Sequence, residues 1–135
     1  LWLKKVATGN FNRDMRKDGW MLLENQPRRI NGPIEGVPFL KDGESLVNGE
    51  VMATRAVTLD ADYGQEDAEW LLEHQDMIPA ELRSLYLVFP ATKWQDADGF
   101  RLVPYLFWYG GRWVLDFGRL DLGWLSRGRL VRPRK

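Results

Sequence analysis

Residues Tyr105–Arg129 read YLFWYGGRWVLDFGRLDLGWLSRGR, and this stretch decides how the C-terminal third of the chain folds. Gly110 and Gly111 lie between two runs rich in aromatic and β-branched residues, as a two-residue type I′ or II′ hairpin turn requires. The stretch lacks Lys, Glu, Gln, Asn and Met, although all five occur elsewhere in the chain. The sequence therefore predicts a β-hairpin of unusual composition that turns at these two glycines.

The predicted turn determines which residues lie opposite each other. Side chains alternate between the two faces of a strand, so each cross-strand pair belongs to one face. The apolar pairs are Trp108 with Trp113, Leu106 with Leu115, and Pro104 with Phe117. The mixed pairs of the other face are Phe107 with Val114, Tyr105 with Asp116, and Tyr109 with Arg112. We expect the apolar face in the core and the mixed face at a contact surface; the alternative is a hairpin that is buried on both sides and only packs.

Length and composition indicate one domain and narrow the function classes. The chain has 135 residues, enough for a sizeable hydrophobic core, and seven of them are Trp. The absence of Cys excludes a disulfide framework, thiolate metal sites and a cysteine nucleophile. A formal net charge of zero indicates no overall attraction to nucleic acid or to a membrane surface.

The sequence gives no indication of a membrane partner. No apolar run is long enough to span a bilayer, and Leu1–Lys5 is too short and wrongly ordered for a signal peptide. A cytoplasmic location is therefore the default expectation. No pattern in the chain determines the oligomeric state.

The N-terminal third is predicted to contain short elements joined by turns. The polar segment 8–17 is predicted to form a helix that stops at Gly19. Residues 20–23 are typical of a short buried strand. Residues 37–40 predict a second short strand, which ends at the turn 42–43.

Two helices are predicted in the middle of the chain. The first begins after Asn48, a favourable N-cap residue, and the second covers residues 65–77. Acidic residues in the first turn of the second helix complement its dipole, and Pro79 ends it. The residues expected to face inward are Val51, Met52, Ala56 and Leu59 in the first helix, and Ala68, Leu71, Leu72 and Gln75 in the second.

The remainder of the chain is predicted to be rich in β-structure. Residues 85–89 are typical of a central strand that stops at Pro90, and 95–99 form a turn that leads into the hairpin. Residues 130–131 predict a last strand. The expected fold is a single α+β domain over 1–135, with two helices packed on a mostly antiparallel sheet and a C-terminal β-hairpin.

The sequence offers no recognisable catalytic centre. His74 is the only histidine, and no Ser, Cys or second His accompanies it in a known catalytic arrangement. The acidic turn 96–99 lacks the spaced acceptors and terminal Glu of a calcium loop. No helix follows the Gly-Gly turn as it would in a phosphate-binding loop. We therefore expect a protein that is not an enzyme and that uses neither a metal ion nor a cofactor.

A basic C-terminal end supports a second function hypothesis. Basic side chains cluster there beside Trp124, and such clusters contact phosphates in nucleic-acid-binding proteins. A nucleic-acid-binding module is therefore the alternative to a protein ligand. The cluster consists of Arg127, Arg129, Arg132, Arg134 and Lys135.

Several segments resemble a group of short, uncharacterised bacterial proteins. The segments are 64–76, 87–90, Trp94, 103–105, 111–113 and 129–135. That group is similar to the target (variable) proteins of diversity-generating retroelements, in which a reverse transcriptase rewrites a C-terminal repeat by mutating adenines. An Asn codon AAC then becomes any codon that ends in C. Every residue of 105–129 other than Trp is encodable by such a codon, whereas Lys, Glu, Gln and Met, which are not, are missing.

The resemblance implies a C-type-lectin-like fold and a diversified or ligand-facing segment at about 105–129, whose ligand is a protein or another macromolecule. The Gly-Gly-Ser-Trp pattern and the long Asn/Arg-rich insert of lectin-type targets are absent. The residues expected to act as scaffold are Leu106, Trp108, Trp113, Leu115 and Trp124. The expected ligand-binding residues are Phe107, Tyr109, Val114, Asp116, Gly118, Arg119, Leu122, Leu125 and Arg127.

Overall fold

The computed structural model describes residues 6–135, so Leu1–Lys5, on which the signal-peptide expectation rests, lie outside the described residues. The helices are α1 (Gly49–Thr58) and α2 (Gln65–Glu73), and short 3₁₀ turns occupy Met15–Asp18, Gln75–Met77 and Ala80–Ser84. The strands are β1 (Met21–Glu24), β2 (Ile34–Val37), β3 (Leu46–Asn48), β4 (Tyr86–Val88), β5 (Lys93–Gln95), β6 (Arg101–Tyr109), β7 (Arg112–Arg119), β8 (Gly123–Leu125) and β9 (Gly128–Pro133). None of the helices in residues 6–135 has the length and apolar character needed to cross a membrane.

Seven strands form one curled sheet around β6. The order is β1-β5-β6-β4-β9-β2, and β7 pairs with the other edge of β6. Strands β5 and β4 follow each other along one edge of β6, because they pair with its start and its middle. All pairs are antiparallel except β4 with β9, and β3 with β8 forms a separate two-stranded ribbon. The predicted α+β class, with two helices, a mostly antiparallel sheet and a C-terminal hairpin, is confirmed.

The β6–β7 hairpin has the predicted register. All six expected pairs are present, including Trp108 opposite Trp113. Gly110 and Gly111 have φ angles of 63° and 82°. Two consecutive positive φ angles are what a type I′ turn requires, and Gly adopts them without strain. The turn sequence therefore determines the pairing of both strands.

Helix α2 covers one face of the hairpin. Its residues Ala68 and Leu71 share a core cluster with Leu106, Trp113 and Leu115. These three hairpin residues belong to the predicted apolar face, and Trp113 is only 2% exposed. The assignment of this face to the core is confirmed.

Helix α1 lies on the opposite face of the sheet. Its residues Met52 and Ala56 share a second core cluster with Val88, Val103 and Leu130, which come from β4, β6 and β9. Val103 is near the start of β6, so α1 covers the beginning of the second face and not its end. Asn48 caps this helix as predicted, and its side chain accepts a hydrogen bond from the N–H of Glu50 (2.9 Å).

The carboxylates of α2 fasten the N-terminal loops to the helix. Asp67 accepts hydrogen bonds from the N–H groups of Arg29 (2.7 Å) and Ile30 (2.8 Å). Glu69 accepts one from the N–H of Asn12 (2.7 Å). The acidic first turn was expected to complement the helix dipole, and it also satisfies backbone donors of segments far away in sequence.

The predicted helix over 8–17 is wrong. Only Met15–Asp18 forms a 3₁₀ turn, which ends at Gly19 with a φ of 83°. Residues before it have no regular secondary structure, because Glu69 takes the N–H groups of Asn12 and its neighbour along the chain. A tertiary hydrogen bond of this kind overrides the weak helix propensity of a polar segment.

Two strands near the N-terminus are displaced from their predicted positions. In β1 Met21 is exposed and Leu22 is buried, so this strand is not buried on both faces. The strand predicted at 37–40 is wrong: β2 is Ile34–Val37, where pairing with β9 places it. Phe39 follows β2 as a buried core side chain.

Helix α2 is shorter than predicted. It ends at Glu73, and a 3₁₀ turn continues the chain over Gln75–Met77. The inward position predicted for Val51 is wrong, since that side chain is 42% exposed. Of the other predicted inward residues, those buried in the core are Met52, Ala56, Ala68 and Leu71.

Strand β7 is an edge strand, and side chains from elsewhere occupy its outward backbone groups. The side chain of Gln75 accepts a hydrogen bond from the N–H of Trp113 (2.9 Å) and donates one to the carbonyl of Trp113 (3.2 Å). Arg13 donates to the carbonyl of Leu115. These groups take the place of a neighbouring strand and protect the edge from pairing with another chain.

Candidate functional site

The face of the hairpin opposite α2 is open over its outer half. Tyr105, Phe107 and Tyr109 occupy alternate positions of β6 there, with ring centroids 5.9 Å and 6.5 Å apart along the series. Tyr105 packs against the α1 cluster, Phe107 is half-buried and Tyr109 is 72% exposed. Tyr109, the last of the three rings along β6, is therefore the exposed one.

The neighbouring strand adds Val114, Asp116 and Gly118 to the same face, all of them half-buried. Asp116 lies opposite Tyr105, and its Oδ1 accepts a hydrogen bond from the N–H of Phe117 (2.8 Å). Burial raises the pKa of Tyr105, and Asp116 and then Tyr86 raise it further. The phenol at the centre of this face is therefore a neutral hydrogen-bonding group at physiological pH.

Trp124 separates the open face from α1. A Cβ atom built on Gly118 would lie 2.6 Å from the Trp124 ring, and one built on Gly49 would lie 2.7 Å from its Nε1. The Nε1–H of Trp124 donates to the carbonyl of Arg119 (3.1 Å). The indole is thus wedged between β7 and the start of α1, which agrees with its predicted scaffold role and makes Gly118 a packing position beneath it.

A groove of about 400 Å³ runs beside Tyr105. Five of the predicted ligand-binding residues line it, and two of these, Leu122 and Leu125, are 52% and 57% exposed. The complete lining is Tyr86, Tyr105, Gly118, Arg119, Leu122, Gly123, Trp124, Leu125, Arg127 and Gly128. The groove and the strip formed by Phe107, Tyr109, Val114 and Asp116 meet at Tyr105.

Tyr86 is a member of the site that the sequence did not reveal. It lies on β4, and its ring contacts the Tyr105 ring edge-to-face with centroids 5.8 Å apart. The segment 85–89 is a nearly continuous apolar run that predicted a central strand, and it gave no sign that Tyr86 would be exposed. Tyr, which carries a hydroxyl, was the one residue of that run suited to an exposed position.

The two arginines of the groove differ in their partners. Arg119 forms an ion pair with Asp121 (2.6 Å) and stacks on Phe100, with the guanidinium 3.6 Å from the ring centroid. The hydrogen bond that Arg119 donates to Asp121 lowers the pKa of the Asp121 carboxyl. Arg127 donates two hydrogen bonds to the carbonyl of Ser84 (3.3 Å and 3.0 Å) and has no carboxylate partner within residues 6–135. The side chain of Arg119 is therefore engaged, whereas that of Arg127 keeps an uncompensated charge.

The basic C-terminal cluster does not form one free surface. Arg132 forms an ion pair with Glu35 (2.7 Å) and donates to the carbonyl of Leu59 (2.9 Å). Arg129 donates to the carbonyl of Ser126 (2.7 Å). Three of the five basic residues, Arg127, Arg129 and Arg132, thus bond to groups of the same chain, and within residues 6–135 only Arg132 of these three has a carboxylate partner.

His74 and the acidic turn have structural settings. The Nδ1 of His74 lies 2.8 Å from the carbonyl oxygen of Trp70, and the two rings are stacked. Asp96 accepts hydrogen bonds from the N–H groups of Asp98 (3.0 Å) and Phe100 (2.9 Å), as the aspartate of an Asx turn does. Within the part of the chain that the structure describes, no three His, Cys, Asp or Glu side chains are grouped to hold a metal ion.

A larger cavity of about 790 Å³ lies near the N-terminal segment. Its polar lining is mostly engaged: Asn25 bonds to Glu66 (2.8 Å), and Lys93 donates to the carbonyl of Pro90 (2.9 Å). In residues 6–135, the Oδ1 atom of Asp62 is buried without a hydrogen-bond partner, and burial raises the pKa of this carboxyl. A single unsatisfied atom does not define a ligand, so the cavity is a weaker candidate than the groove.

No family model, curated protein or solved structure gives a significant match to the chain. The open face and the groove beside it are therefore the features from which a function is inferred.

Proposed function

We propose that the protein is a non-enzymatic binding protein that presents a diversified C-terminal surface to a macromolecular ligand, like the target proteins of diversity-generating retroelements. The observation that carries the proposal is the partial cover of the second hairpin face. Helix α1 packs against Val103, whereas Phe107, further along the same face, is only half-buried and Tyr109 is 72% exposed.

The composition of this face suits binding. Tyr and Phe provide a large contact area at a small cost in side-chain entropy, and Gly leaves room for adaptable loops. Leu122 and Leu125 add exposed apolar area beside the rings of Tyr86 and Tyr105. Contiguous apolar surface of this kind marks interaction sites in soluble proteins.

The distribution of Trp agrees with diversification. Trp is the only residue type in 105–129 that no codon ending in C encodes, and its three copies have structural contacts. Trp113 is buried under α2, Trp124 is wedged against α1, and Trp108 packs edge-to-face on Trp113 with centroids 5.7 Å apart. The encodable residues include the exposed ones. A C-type-lectin-like fold stays a prediction.

Deep sequencing of the last third of the gene across a natural population tests the proposal. We expect changes between Phe107 and Arg127 to be confined to codons that end in C, with Trp108, Trp113 and Trp124 constant. An invariant or evenly drifting segment would contradict the proposal and favour a hairpin that only packs.

Nucleic acid is the less supported partner. Phosphate binding needs several uncompensated cations along one groove, whereas Arg132 is already paired with Glu35. Salt titration distinguishes the two ligands: binding to nucleic acid weakens steeply with salt and on replacement of Arg134 and Lys135, and it is indifferent to Phe107.

A further inference from the structure

The groove beside Tyr105 has an apolar interior and a basic rim. Its walls are the rings of Tyr86, Tyr105 and Trp124 and the side chains of Leu122 and Leu125. The other residues that line the groove are three glycines and two arginines. An apolar groove of about 400 Å³ is large enough for one large apolar side chain and part of the chain that carries it.

Packing behind the groove leaves little room for a side chain at two of its glycines. A Cβ atom at Gly128 would lie 2.9 Å from the Phe39 ring, and one at Gly123 would lie 3.1 Å from Leu46. A side chain at Gly128 would displace the buried Phe39 ring, and one at Gly123 would press on the exposed Leu46 side chain, so bare backbone forms part of the groove surface. The depth of the groove therefore follows from the scaffold.

Arg127 supplies the only uncompensated charge among the groove residues. The other cation, Arg119, is neutralised by Asp121. Of the five N–H donors of the Arg127 guanidinium, two are directed at Ser84, so three are left for a ligand. The same guanidinium lies 5.4 Å from the centroid of the Tyr86 ring. Both contacts come from outside 105–129, and they hold the donors in place before a ligand arrives.

We infer that this groove binds a segment of a protein partner in which an apolar side chain lies next to a carboxylate. The apolar side chain occupies the space between Tyr86, Trp124 and Leu125. The carboxylate, from Asp, Glu or a free C-terminus, accepts charge-assisted hydrogen bonds from Arg127. The inference rests on the proposed function and specifies the chemistry of the partner.

The arrangement of the rings disfavours a nucleic-acid base as the occupant. Stacking needs an open ring face, but Tyr105 contacts both Tyr86 and Trp124 edge-to-face, at interplanar angles of 80° and 85°. The guanidinium of Arg127 covers the Tyr86 ring. One free cation also gives little attraction to a phosphate backbone.

Selection from a random peptide library tests the inference. The full chain is immobilised and presented with displayed random peptides, in one library with a free C-terminus and in another without it. We expect enriched peptides with Leu, Ile, Phe or Met next to Asp, Glu or the terminal carboxylate. Their affinity should fall at least about tenfold with Arg127→Gln, since a charge-assisted hydrogen bond contributes about 1.5–3 kcal/mol.

Matched variants separate the groove from the rest of the molecule. Arg134→Gln removes the same charge from an exposed site outside the groove and should leave the affinity unchanged. Tyr86→Ala should weaken binding, and Tyr86→Phe, which keeps the ring, should restore it. A cooperative thermal unfolding transition in each variant would show that the variant is folded.

Three results would overturn the inference, and they leave different conclusions about the proposed function. The inference is wrong if the enriched peptides carry no acidic group. It is also wrong if their affinity is unchanged by both Arg127→Gln and Tyr86→Ala. If such peptides are instead lost with Phe107→Ser, the binding surface remains and only the groove assignment fails. If no peptide is enriched, the inference fails, and binding of a single-stranded oligonucleotide through Arg127 in its place would make nucleic acid the ligand; the sequencing of the gene then decides separately whether the surface is diversified.

Discussion

The two faces of the β6–β7 hairpin are both rich in aromatic residues, yet they have different surroundings. On one face Trp113 lies under α2 and is almost completely buried. On the other face α1 and Trp124 cover the start of β6, and exposure rises from Tyr105 to Tyr109. Aromatic content therefore does not show which face is buried; the element that covers each face does.

This difference means that the two faces of one hairpin contribute differently to the core. An antiparallel sheet needs only one face in the core, because its backbone hydrogen bonds lie within the sheet. Leu106 and Leu115 belong to the core cluster of α2, whereas Phe107 and Val114 on the opposite face belong to neither that cluster nor the one around α1. The contrast is testable by replacing residues on either face.

Trp113→Ala should have the largest effect. Loss of a fully buried aromatic side chain leaves a cavity under α2, and we expect the free energy of unfolding to fall by about 3–5 kcal/mol. Denaturant unfolding followed by circular dichroism measures it. A cost below about 1 kcal/mol would show that the two faces do not differ in stability.

Gly118→Ala should have an intermediate effect, although Gly118 lies on the open face. The added methyl would meet the Trp124 ring, which has to move, and we expect a loss of about 1–3 kcal/mol. A change in Trp fluorescence should accompany the loss of stability. Unchanged fluorescence and stability would mean that Trp124 is not a fixed boundary of the open face.

Glu44→Gln should have a small effect that depends on pH. The hydrogen bond from Arg55 lowers the pKa of Glu44 to about 2, from an ordinary value of 4.5. A lowered pKa in the folded state means that the contribution to stability is present above pH 4.5 and is lost as the pH falls towards 2. The Tm difference between the wild type and the variant should therefore shrink over this interval. A Tm difference that does not change with pH would show that the ionisation of Glu44 is not coupled to folding.

Phe107→Ser should have the smallest effect on stability. Its side chain is half-buried on the open face, and we expect a change within roughly 0.5 kcal/mol. The matched change on the other face is Leu106→Ser, one position away on β6, which should be far more destabilising. Equal costs for the two variants would support a hairpin buried on both sides.

Local signals predicted the elements that local chemistry controls. The Gly110-Gly111 turn predicted the whole hairpin register, and Asn48 predicted the start of α1. The segment 8–17 was mispredicted because its backbone donors bond to Glu69, which is more than fifty positions away. No short-range pattern contains that contact.

The candidate site was predictable only in part for the same reason. Residues of the hairpin face were assigned from alternation, which is a local property. The contribution of Tyr86 depends on β4 lying next to β6, and the cover from α1 depends on the tertiary fold. The three-residue strands β3 and β8 also form through pairing between distant segments.

The hydrogen bonds that hold β7 at the sheet edge end on main-chain atoms. Gln75 bonds to the N–H and carbonyl of residue 113, Arg13 to the carbonyl of residue 115, and Trp124 to that of residue 119. Every amino acid carries the carbonyl, and every one except Pro carries the N–H. These hydrogen bonds therefore do not depend on which side chains β7 carries, except at Gly118, where any side chain would meet the Trp124 ring.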